Sequence, residues 1–130
     1  MSDSTLIQNW KQGIRDFNSG RYWHAHEAWE RGWRGLSEPE KTHIQALIQT
    51  AGVFDLVRRG RPGAAIRLAR LALEKLGRIS QTGGMGTRFP RVEIVGMEDL
   101  LIRITGFSEA EIAAKLPTFS PESRLLLSPP

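Results

Sequence analysis

The 130-residue sequence predicts one all-α domain, a bundle of about four main helices in two stacked hairpins with two short C-terminal helices. Three observations carry that reading. Apolar residues recur at helical spacing through most of residues 4–76. Glycine-bearing corners interrupt them at 18–20 and 60–63, and the segment between Thr42 and Val57 is apolar almost all round. A chain of this length with 40% hydrophobic residues suits one core and leaves little room for two.

Leu6, Ile7, Trp10, Ile14 and Phe17 set a first helix over about residues 4–18, closed by Asn18-Ser19-Gly20, which tolerate left-handed backbone. The stripe Tyr22, Ala25, Trp29, Trp33 extends a second helix from Arg21 to about Trp33, antiparallel to the first across a short connection. Ser37-Glu38-Pro39-Glu40 reads as a helix start, with Ser37 as N-cap, Glu40 completing a capping box and Pro39 where a missing N–H costs nothing. The third helix then places Ile44, Leu47, Ile48, Ala51, Val53, Phe54, Leu56 and Val57 on every side, the pattern of a central helix. Gly60-Arg61-Pro62-Gly63 breaks it. A fourth helix, Ala64 to Leu76, turns Ala65, Ile66, Ala69, Ala72, Leu73 and Leu76 inward and Arg67, Arg70, Glu74 and Arg78 outward, with Gly77 as C-cap.

Gly83, Gly84, Gly86 and Pro90 make residues 78–91 a loop, Val92–Val95 a brief extended segment, and Met97–Thr105 and Glu109–Leu116 two short helices. Ser108 and Glu111 form the capping box of the second, and Pro117 closes it. Leu125, Leu126 and Leu127 are expected to lie back on the bundle. Gly20, Arg21 and Ala25 recur forty positions on as Gly60, Arg61 and Ala65, which suggests two stacked hairpins; shared αα-corner chemistry accounts for the echo without duplication.

The absence of Cys excludes disulfide scaffolds, thiolate metal sites, iron–sulfur clusters and Cys nucleophiles. No stretch reaches the 18 apolar residues of a membrane span and the N-terminus lacks a signal pattern, so the expectation is a cytoplasmic protein without membrane contact. Residues 51–91 carry nine positive against two negative groups, which raises a phosphate-bearing partner. A solvated helix face explains the same charges, and no aromatic residues are interleaved along the fourth helix, so nucleic acid is the less favoured partner. A homo-oligomer stays open.

One polar group sits in an aromatic neighbourhood. With His26 taken as zero on a helix of about 100° per residue, Trp33 falls near about −20°, Trp29 near about −60° and Glu30 near about +40°, which puts His26 and Glu30 inside the aromatic face. Glu27 lies at its edge and His24 faces solvent. A buried imidazole and carboxylate need partners. Gln49, on the facing third helix, is positioned to close a His26–Glu30–Gln49 network that fixes helix register. The same i,i+4 spacing of His26 and Glu30 suits two ligands to one divalent ion, and Glu27 or Glu30 with His26 would suit acid–base work. His26-Glu27-Ala28-Trp29-Glu30 is not a zincin motif, because Glu30 stands where a second His is required. His43, at the start of the third helix, is expected to be exposed rather than ligating.

These residues resemble the bacterial and archaeal domain-of-unknown-function family 309, whose hallmark, HxxxExx followed by Trp or Tyr, is met by His26, Glu30 and Trp33. Phe17-Asn18-Ser19-Gly20-Arg21-Tyr22 before Ala25-His26-Glu27, and Leu47-Ile48-Gln49 with Ala51, are similar too, so the resemblance spans about residues 10–77. His24, where relatives often carry Glu, and Ala46, where they often carry Gly, depart from the pattern. The resemblance implies an all-helical single domain, with His26, Glu30 and Trp33 as its motif and Glu27 and Gln49 as supporting positions, and it suggests that the motif binds metal through His26 and Glu30; it implies no activity. Three functions stay in play: a His/Glu site holding a divalent ion, a helical-hairpin interaction module, and a phosphate or nucleic-acid binder using the arginines of 58–91.

Overall fold

The computed structural model describes residues 3–38, 40–82, 92–95, 97–108, 110–111 and 124–127. Four helices form the bundle: α1 (Asp3–Asn18), α2 (Tyr22–Glu30), α3 (Glu40–Arg58) and α4 (Pro62–Thr82). They pack in sequence, α1 on α2, α2 on α3 and α3 on α4, which is the arrangement of two stacked hairpins. A fifth helix, α5 (Met97–Gly106), packs on α4 and buries Leu101 and Ile104.

The two corners, one within each hairpin, are the same motif. Gly20 and Gly60 both take left-handed backbone, φ +77° and +72°, which a side chain would disfavour. At the first corner the Gly20 N–H donates to the Phe17 carbonyl (3.0 Å) and the Arg21 N–H to Asp16 (2.8 Å). At the second, Gly60 donates to Val57 (3.1 Å) and Arg61 to Leu56 (3.0 Å). Each is a Schellman cap, satisfying carbonyls that the helix end leaves open. Ala25 and Ala65, one turn later, are fully buried.

α3 is the central helix, as its sequence predicts, burying Ile44, Leu47, Ile48, Ala51, Val53, Phe54 and Val57 between α2 and α4. Gly52 brings α4 near, since a Cβ there would meet Leu68. Around Phe17 an aromatic cluster joins three helices: Tyr22 at 5.2 Å, Phe54 at 5.8 Å and Trp29 at 6.2 Å between ring centroids.

The structure corrects several boundaries. α2 stops at Glu30 because Gly32 adopts φ +86°, and Trp33 lies instead in a 3-10 turn, Trp33–Gly35. α4 runs through Gly77 to Thr82, so Gly77 is not a cap and the helix takes up part of the expected loop. Residues 83–91 lie outside the described residues. The chain's end is not a mere covering: Arg124–Leu127 (β2) pairs antiparallel with Val92–Val95 (β1), Val92 opposite Leu127, beside α1. This two-stranded ribbon holds the only strands among the described residues. The Ser108–Glu111 capping box forms with both reciprocal bonds, 3.1 and 3.2 Å, while the body of the expected helix beyond it lies outside the described residues.

His43 is also a correction. It is 1% exposed, in the first turn of α3 against which the 33–35 turn packs. Burial lowers its pKa below the ordinary 6.5, with the carboxylates of Glu38 and Glu40 opposing the shift. The unfolded chain therefore takes up this proton more readily than the folded one, and stability present above about pH 6.5 is lost as pH falls. Urea denaturation between pH 8 and 5 is expected to show that loss in the wild type and a flatter profile in His43→Gln; parallel profiles would contradict it.

Candidate functional site

α2 exposes what its aromatic residues had suggested it would bury. Its inward residues are Tyr22, Ala25, Ala28 and Trp29, whose mean direction lies about 90° from His26 on a helix of about 100° per residue. The alanines, where α2 comes closest to its neighbours, set the face; the ring of Trp23 does not. His26 consequently sits at the margin, its side chain 22% exposed, and the Glu30 side chain, at 46%, reaches solvent. Glu27 is exposed, as is His24. The expectation of a buried His/Glu pair is thus corrected: the pair is a surface feature.

His26 Nε2 lies 3.5 Å from Glu30 Oε1, one turn along the helix. The imidazole stacks on Trp23, three residues earlier, with centroids 5.0 Å apart and planes only 14° from parallel. Across the α2–α3 seam the Arg59 guanidinium lies over the Trp23 ring, 5.5 Å from its centroid, while its Nε holds Asp55 Oδ2 at 2.8 Å. One ladder therefore runs Glu30, His26, Trp23, Arg59, Asp55 over two helices. Its centre, Trp23, is 46% exposed.

Gln49 does not close the expected network. Its Oε1 and the Nδ1 of His26 are both buried without a protein hydrogen-bond partner. Trp33 stands apart as well, half-buried in its 3-10 turn under the Lys41 ammonium, 5.5 Å from the ring centroid. With Leu6, Trp10, Trp29 and Ile44 it lines a shallow pocket at the far end of α2 from Trp23. The motif positions thus divide, His26 and Glu30 in the ladder and Trp33 in the pocket. Trp23 and Arg59 are the members that sequence reasoning missed. The i,i+3 spacing of Trp23 and His26 was a usable signal; the reach of Arg59 across the seam was not.

His26 and Glu30 supply two ligands, and among the described residues no group of three or more His, Cys, Asp or Glu side chains is placed to hold an ion. No helix among the described residues is long and apolar enough to cross a membrane.

Below the ladder, Arg58 ties the two corners together. Its guanidinium donates to the Gly20 carbonyl and lies over the Tyr22 ring, 4.5 Å from the centroid. Burial raises the Tyr22 pKa above its usual value, and the Arg58 cation partly offsets that.

Comparison with known proteins gives one match: residues 10–68 fit the family described as domain of unknown function (DUF309). No curated protein and no solved structure matches the chain.

Proposed function

We propose that this chain, whose residues 10–68 belong to the DUF309 family, is a binding module in which His26 and Glu30 hold Trp23 out as a recognition surface. The observation that supports this reading is an indole nearly half exposed yet fixed on two sides, by the parallel His26 ring and by Arg59. Glu30 acts through His26: by engaging Nε2 it sets the imidazole plane, and the imidazole sets the indole. An ordered exposed aromatic contributes little to folding and loses little side-chain entropy on binding, which is why such residues serve as anchors.

This reading makes the ladder nearly neutral for stability, because a surface ion pair is worth about 0–1 kcal/mol. Trp23→Ala, His26→Ala and Glu30→Ala are each expected to unfold in urea within about 1 kcal/mol of the wild type. A photo-crosslinking residue at position 27, exposed one turn along α2 from Trp23, is expected to give a discrete adduct in cells, weakened by Trp23→Ala and by Glu30→Ala, while one at Leu71 does not. Large stability losses would return the pair to a structural role, and equal or absent adducts would refute the binding face. Divalent binding at His26 and Glu30 predicts otherwise, a melting temperature raised by added metal and lowered by chelator. We expect neither response.

A further inference from the structure

We infer that the Trp23 face binds single-stranded nucleic acid without sequence preference, a base adding to the stack of planar groups that His26, Trp23 and Arg59 form and phosphates meeting the arginines of the two adjoining corners. This rests on Trp23 being a binding residue, and names what it binds.

Arg58, by joining Gly20 and Tyr22, gathers both corners at one end of the bundle, and Arg21, Arg58, Arg59 and Arg61 are all exposed there. The acids among them face inward. Asp16 is 8% exposed and Asp55 15%, and each is engaged, by Arg21 at 3.8 Å and Arg59 at 2.8 Å. The outward charge of the two corners is therefore positive, and the exposed carboxylates of Glu27 and Glu30 lie on the α2 side of Trp23. Arg67 and Arg70 continue it along the exposed side of α4.

The missing ingredient along the fourth helix was an aromatic residue, and α2 supplies it. The Arg59 guanidinium lies over the Trp23 ring and the His26 ring stacks on it nearly parallel, so the three form one stack of planar groups. Cations alone would serve an acidic peptide equally well. Three adjacent planar groups, indole, imidazole and guanidinium, favour bases, which stack on all three. They favour single strands because bases in a duplex are already stacked. Nothing in the cluster offers a paired donor–acceptor set for one base edge, so selectivity among bases is not expected.

The test uses the full chain and fluorescein-labelled 12-mers of RNA, one uridine-rich and one of mixed sequence, followed by anisotropy at 25 mM and 200 mM salt. Both are expected to bind, with affinity falling steeply with salt. The duplex of the mixed sequence should bind more weakly. Trp23→Ala should weaken binding roughly tenfold or more with little change in salt dependence. Arg61→Ala should weaken it and flatten the salt dependence, and Lys41→Ala, at the other end of α3, should do neither. No binding at 25 mM salt, equal binding of duplex, or a Trp23→Ala affinity equal to the wild type would overturn the proposal. If a labelled poly-glutamate peptide binds with Trp23 dependence and RNA does not, nucleic acid is refuted while the binding face stands. If neither binds and position 27 gives no crosslink, both fall.

Discussion

Trp29→Ala is expected to lower the unfolding free energy by about 3–5 kcal/mol, the range for removing a buried aromatic side chain from a core. Trp29 is 2% exposed, stacks obliquely on Phe17, and donates from Nε1 to the Trp10 carbonyl at 3.0 Å. That bond binds α2 to α1 through a backbone group, so Ala removes volume and a cross-helix tie together. A domain of this size holds roughly 5–15 kcal/mol in all, and such a loss takes a large share of it. Urea denaturation followed by far-UV circular dichroism measures it; a loss below about 1.5 kcal/mol would show that the α1–α2 interface collapses around the space far better than this packing allows.

The second large effect has an inverted sign. Gly13 lies in the interior of α1, where Gly→Ala should ordinarily gain about 0.5–1 kcal/mol. A Cβ at this position would instead fall on the Trp29 ring, against Nε1, Cε2 and Cδ1. The indole is rigid and held by the Trp10 carbonyl, so it yields only by giving up that bond and its packing. Gly13→Ala is accordingly expected to cost about 1–3 kcal/mol, the usual range for overpacking. The two sites share one contact and should couple. In a Trp29→Ala background, Gly13→Ala should become neutral or stabilising. Additive losses would place the cause elsewhere.

The helices were legible wherever one physical signal dominated. Apolar residues on every side marked α3 as central, and the repeated Gly-Arg corner forecast two caps whose hydrogen bonds prove to be the same pair for pair. The errors share a cause, that large side chains outweigh small ones when a face is read by eye. Tyr22, Trp29 and Trp33 drew the inward face of α2 toward His26, whereas Ala25 and Ala28 carry it the other way. Trp33 was counted on a helix that Gly32 had ended. His43 looks solvated because a helix start usually is, yet it is 1% exposed, and α3 also packs against the 3-10 turn, which periodicity does not reveal. The pairing of β1 with β2 joins segments far apart in sequence, and local pattern contains nothing of their register.

The motif is therefore best understood from what stands next to it. His26 and Glu30 were found by spacing and by resemblance, and their neighbours Trp23 and Arg59 give them a reason to be on the surface. Labelling the four tryptophans with 5-fluorotryptophan makes that claim directly measurable by fluorine NMR, with the Trp23 resonance assigned through Trp23→Phe. In Glu30→Ala and His26→Ala the account predicts that the Trp23 resonance moves and broadens while those of Trp10, Trp29 and Trp33 stay in place. An unmoved Trp23 resonance, or displacement of the Trp10 and Trp29 resonances, would contradict it and make the pair a support of the core.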